Sequence, residues 1–169
     1  MSKGIQKGKL RINIFIKRKS SERPVVFKSD GKRFPQPFTI KLNQDETYEM
    51  RLVLQPVFPV EAFLLHEEKI KLEPQKNASK YQDEDSQITY QGEWTPRSFE
   101  RSARKTRHQL KLCVEFKEFG MILGIIQCKF YPVEETSHSS WGESLAAVQF
   151  ECDVSPETKS ITINKHQLL

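Results

Sequence analysis

Along most of this chain, apolar and polar residues take turns. Leu10, Ile12, Ile14 and Ile16 fall on one side of Lys9–Lys17, with Arg11, Asn13 and Lys17 on the other. A period of two puts alternate side chains on opposite faces of an extended backbone, so this stretch predicts a strand with one buried face. The same pattern predicts strands at Val25–Lys28, Phe38–Leu42, Tyr48–Leu54, Lys69–Leu72, Ile88–Trp94 and Leu110–Phe116. Val60–Leu65 is more continuously apolar and reads as covered on both faces. Later, Ile126, Cys128 and Phe130 share a face, as do Val148, Phe150 and Cys152, and Ile161–Ile163 gives a last strand.

Breaks in the pattern supply the connections. Ser29-Asp30-Gly31-Lys32 is a turn signal, because Asp and Gly accept the positive φ angles of tight hairpins. Pro35 and Pro37 mark an edge or a break before Phe38. Phe38–Leu42 and Tyr48–Leu54 flank a short polar loop and read as a hairpin. Gly92, inside a strand pattern, marks a bulge or the close approach of another backbone. The one helical spacing is in His138–Ala147, where Trp141, Leu145 and Val148 recur at i, i+4 and i+7. About ten short strands with turns between them predict an all-β fold, an antiparallel β-barrel or sandwich with one or two short helices. The 169 residues suit one such unit, with residues 1–8 as a flexible N-terminus and 9–169 as a single β-barrel domain.

Composition narrows the class. With 37% hydrophobic and 29% charged residues, the chain is water-soluble and able to bury a core. A net charge of +5 is too modest to imply nucleic acid, and stacking aromatics are sparse among the basic residues. Cys113, Cys128 and Cys152 are odd in number and too widely spaced for a metal knuckle, so they read as free thiols in a reducing compartment. Cys128 and Cys152 share the parity of apolar neighbours and belong in the core, whereas Cys113 faces outward. No leader or membrane-spanning run is visible, and a cytoplasmic location is expected.

Candidate chemistry is thin. His66, His108, His138 and His166 lack metal-ligand spacing. Gly142-Glu143-Ser144 lacks the flanking glycine of a nucleophile elbow, and no phosphate loop occurs. Neither a catalytic residue nor a metal or cofactor is therefore expected. The loop 95–108 carries Arg97, Arg101, Arg104, Lys105 and Arg107. Such a run can hold carboxylates in bidentate fashion, which points to an acidic peptide partner; a solvated loop is the plainer alternative. Trp94, Phe130 and Tyr131 either line an apolar pocket or fill the interior. Trp141 is expected to close one end of the barrel and to share a partner-binding rim with the basic loop.

Several segments, in order and with matching spacing, resemble the cannabinoid receptor-interacting protein family. They are Val25-Val26-Phe27-Lys28-Ser29-Asp30-Gly31-Lys32-Arg33-Phe34, Thr39-Ile40-Lys41-Leu42, Phe119-Gly120, Gln127-Cys128-Lys129-Phe130-Tyr131, Trp141-Gly142, Phe150-Glu151-Cys152, Glu157-Thr158-Lys159-Ser160 and Asn164-Lys165. The turn at His66-Glu67-Glu68 and the loops 73–86 and 95–108 depart from the family, as in a divergent member. The resemblance implies a non-enzymatic adaptor for the cytoplasmic tail of a cannabinoid-type receptor, working at the inner face of the plasma membrane. It implies a fold similar to Rho GDP-dissociation inhibitors and, as a second function, carriage of lipidated (prenyl or acyl) cargo in an apolar cavity.

Overall fold

The computed structural model describes residues 8–75, 86–97 and 106–169. Strands form where alternation predicts them: β1 (Gly8–Arg18), β2 (Val26–Ser29), β3 (Phe38–Asn43), β4 (Tyr48–Gln55) and β5 (Val60–Leu65). Short β6 (Glu68–Ile70) and β7 (Glu73–Pro74) follow, then β8 (Ile88–Trp94), β9 (His108–Phe116) and β10 (Gly120–Tyr131). A single 3-10 turn (His138–Ser140) precedes β11 (Glu143–Ser144), β12 (Val148–Ser155) and β13 (Ser160–Leu168).

These strands make two sheets. One has six strands in the order β13-β12-β1-β4-β8-β7, the other seven in the order β11-β2-β3-β10-β9-β5-β6. Their inner faces pack on each other as a sandwich that does not close into a barrel. Alternation explains which side chains meet: Leu10, Ile12 and Ile14 of β1 face inward opposite Cys152, Phe150 and Val148 of β12. Cys128 and Cys152 are buried, as their parity requires, and burial pushes the Cys152 thiol up to about 12. At Gly92 a Cβ would lie 2.6 Å from the Lys71 carbonyl oxygen, so the residue permits the close backbone approach its position suggests.

Two local expectations are corrected. β3 and β4 are not a hairpin: β3 pairs with β2 and β10, β4 with β1 and β8, and the loop between them crosses from sheet to sheet. Alternation in both strands is compatible with either arrangement; what decides is non-local, namely parallel pairing of β3 with β10 from Ile40↔Cys128 to Asn43↔Tyr131. Every other strand pair among the described residues is antiparallel. The 138–147 segment is not an extended helix. After the 3-10 turn its chain straightens into β11, which pairs with β2. Leu145 and Val148 are buried, but Trp141 is 62% exposed and plugs nothing.

The sheet-to-sheet crossing is fastened by a buried cation. Arg18, at the inward-facing end of β1, is fully buried. Its Nη1 donates to Asn43 Oδ1 at 2.9 Å and to the Glu46 carboxylate, with the Tyr48 hydroxyl oxygen at 3.4 Å. The Tyr48 hydroxyl also accepts the Asn43 N–H at 2.7 Å. A guanidinium out of water needs such a counter-charge, because removing one partner of a buried pair strands the other.

Candidate partner-binding site on the open side of the sandwich

β10 is paired on both edges over only part of its length. β9 pairs with it from Gly120 to Cys128, and β3 joins the opposite edge only from Cys128 to Tyr131. The segment before β3 turns away at its prolines. There the Gln127 side chain replaces the backbone ladder: its Oε1 accepts the Gln36 N–H at 3.1 Å, and its Nε2 donates to the Gln36 carbonyl at 3.0 Å. Gly120–Ile126 therefore has an unpaired backbone edge among the described residues. β13, the edge strand of the other sheet, approaches this side of β10.

Between them lies a groove of about 330 Å³. Phe38, Ile125, Ile126 and Leu168 give it an apolar lining, and His166 stands in its wall. The His166 ring stacks on Phe150 with centroids 4.5 Å apart. Its Nε2 is buried and has no hydrogen-bond partner among the described residues. Burial pushes its pKa down, favouring the neutral ring. Outward along the same strand, Met121, Leu123 and Ile125 are 50%, 65% and 41% exposed. Three large apolar side chains in a row on an unpaired edge form a surface that soluble proteins usually cover or charge.

The far half of β10 is electrically different. Lys129 stands opposite Lys41 of β3, and both ammonium groups lie over the Tyr131 ring, 5.2 and 5.9 Å from its centre. Lys41 is 6% exposed and donates to the His138 carbonyl at 2.9 Å. Burial lowers its pKa first, and the positive charges of Lys28, Lys129 and Arg107 lower it further. Three cations acting on one buried amine define a positive field over this end of the sheet.

Asp30, in the turn after β2, organises the cluster. Its carboxylate is buried and accepts from the Thr39 hydroxyl and from Arg107 Nε and Nη2, both at 3.4 Å; Lys28 Nζ lies 3.5 Å away. Burial alone would raise its pKa, but Thr39 and then Arg107 overcome that and hold the carboxyl below its usual range. Arg107 also covers Phe34, 4.4 Å from the ring centre, and Arg33 lies 5.6 Å from the same ring.

The loop 132–141 roofs this end. Asn43 Nδ2 donates to the carbonyls of Pro132 and Glu135 at 2.8 and 2.7 Å. Arg23 Nη1 donates to the hydroxyls of Ser139 and Ser140 at 3.0 and 2.6 Å. Trp141 leaves the roof into solvent with its ring edge-on to His138, 4.6 Å between centres.

Among the sequence-derived candidates, Arg107 joins the cluster and Arg97 is exposed nearby in sequence. Arg101, Arg104 and Lys105 lie outside the described residues. Trp94 and Phe130 are buried in the core and Tyr131 is half-buried beneath the lysines; none of the three lines the groove. Sequence reasoning missed Asp30 as a buried anchor and missed Phe38, Ile125 and Leu168 as groove walls. The available signal was an uncharged, continuously apolar run, Met121 to Ile126, with large apolar residues on both faces.

The family model described as CB1 cannabinoid receptor-interacting protein 1 matches residues 6–168. A human protein of that description is 26% identical over 163 residues, covering 96% of this chain and 97% of the human one. Similar proteins of the same description occur in Bos taurus (26% over 163 residues) and Mus musculus (24% over 163 residues), each with 96% of this chain and 97% of the relative covered.

Proposed function

The chain belongs to the CB1 cannabinoid receptor-interacting protein 1 family, and from that premise we propose that it is an adaptor for the cytoplasmic C-terminal tail of a cannabinoid-type G protein-coupled receptor, damping that receptor's signalling from the inner face of the plasma membrane. The observation that carries the reading is the cluster of Lys28, Lys41, Lys129 and Arg107 on one end of the seven-stranded sheet. Acidic residues of a tail are drawn to such a cluster, and Arg107, the last residue of the basic run Arg97, Arg101, Arg104, Lys105 and Arg107, lies in it. Trp141, exposed beside the roof, is an aromatic anchor of the kind that dominates binding energy when a partner covers it.

A synthetic receptor-tail peptide, titrated against the protein, should bind in the micromolar class and more weakly as salt rises. The double variant Arg101→Glu/Arg104→Glu should weaken binding about tenfold at low salt. Unchanged binding in that variant removes the basic loop from the account.

The groove of about 330 Å³ favours a second reading, carriage of a prenyl or acyl group. It competes with a packed interior, because Trp94 and Phe130 occupy the core. Native mass spectrometry with a prenylated peptide distinguishes the two: no uptake leaves the adaptor reading alone.

A further inference from the structure

We propose that the free edge of β10, Gly120–Ile126, accepts an extended segment of a protein partner as an added strand, apolar where it lies in the groove and acidic where it leaves past Pro37. This rests on the adaptor reading for the existence of a partner, and it assigns the edge, the backbone mode and the partner's chemistry. Four observations meet at this place. The backbone edge is unpaired from Gly120 to Ile126 among the described residues. Its side chains are uncharged, so it lacks the edge lysines that prevent strand addition elsewhere. The groove beside it is open and apolar, with Phe38, Ile125 and Leu168 placed to receive alternate side chains of an incoming strand. His166, its ring stacked on Phe150, stands as a fixed part of the groove wall.

The chemistry of the occupant follows from what surrounds the exit. β3 and its leading prolines block further pairing beyond Ile126, so the added chain must leave over Pro37. Arg33 lies against Phe34 there, and Lys129 lies two residues beyond Gln127. Carboxylates on the departing chain complement these cations. A second copy of β10 fits less well, since its edge brings no carboxylate to them. An acyl chain fits less well again, having no N–H or C=O to pair with the edge.

The test is amide hydrogen–deuterium exchange on the full chain with a synthetic probe peptide of alternating Val and Thr ending in two Glu. At saturation, the amides of Gly120–Ile126 should exchange about tenfold more slowly or better, with the rest of the sheet little changed. A probe N-methylated at alternate residues, and the variant Ile125→Lys, should each bind about tenfold more weakly, because one removes the ladder and the other charges the groove. Equal binding of the N-methylated probe overturns strand addition. So does protection that lies elsewhere, that grows with protein concentration without probe, or that a free fatty acid abolishes. The receptor-tail peptide separates this proposal from the adaptor reading. A bound tail that leaves Gly120–Ile126 unprotected, while the probe also fails, overturns strand addition and leaves the adaptor. Protection by the probe with no tail binding overturns the adaptor and leaves the strand site.

Discussion

The outer faces of the two sheets are built on opposite plans. On the six-stranded sheet, cations and carboxylates stand opposite one another across strands: Lys9 pairs with Asp153, Arg11 lies 3.3 Å from Glu151, and Lys17 stands opposite Glu49. That face satisfies itself. On the seven-stranded sheet, β10 divides the surface into an uncharged end at Met121, Leu123 and Ile125 and a basic end at Lys129 and Lys41, whose one deeply buried counter-ion, Asp30, is already engaged with Arg107. This face has an unpaired backbone edge among the described residues and exposed apolar area beside a cluster of cations. The contrast orders the predictions: on the proposed reading, changes on the first face test stability alone, while changes on the second separate stability from binding.

The largest expected effect breaks the frame common to both. Trp94→Ala removes a buried indole that packs on Tyr48, ring centres 6.3 Å apart, and should cost about 3–5 kcal/mol in urea denaturation. If the interior were a ligand cavity, the variant would instead gain lipid uptake with little loss of stability.

Next comes the anchor of the basic end. Asp30→Asn weakens charge-assisted bonds to Arg107 and Thr39 and should cost about 1.5–3 kcal/mol at neutral pH. Because the Asp30 carboxyl is held below its unfolded value, its contribution is present above the usual carboxylate range and is lost as pH falls through the lowered pKa. The stability difference between wild type and Asp30→Asn should therefore shrink on acidification. A difference that stays constant down to strongly acid pH sinks this assignment.

The smallest effect is expected on the balanced face. Lys9→Ala removes an ion pair whose members are largely in solvent, the lysine 75% exposed, and should leave the denaturation midpoint and tail binding unchanged within error. A loss of binding there would erase the distinction between the faces.

Much of this fold was legible because a strand with one wet face writes its period into the sequence. β1, β4 and β9 follow that rule, and β12 does so beyond Gln149, which is buried on the polar parity. β3 obeys it in sequence yet escapes it in space: Thr39, Lys41 and Asn43, on the polar parity, are buried because Arg107, the 132–141 roof and the Gln127 amide cover them. Those covers lie far away along the chain, and no local pattern announces them. The 138–147 spacing misled for a related reason, since three apolar residues at helical intervals also fit a chain that changes direction between them. The site was half legible. Arg107 was visible as part of a basic run, but the groove is the space where two strands fail to meet, and absent pairing leaves no residue signature.

The parallel join of β3 to β10 also has a consequence in time. Gln127 reaches Thr39 across 88 positions of sequence, and β13, which walls the groove, follows every other strand among the described residues. Contacts that close such long loops form late and slowly in folding. During synthesis the groove is therefore completed only once β13 has left the ribosome, and a product truncated before β13 displays the edge of β10 without the wall opposite it.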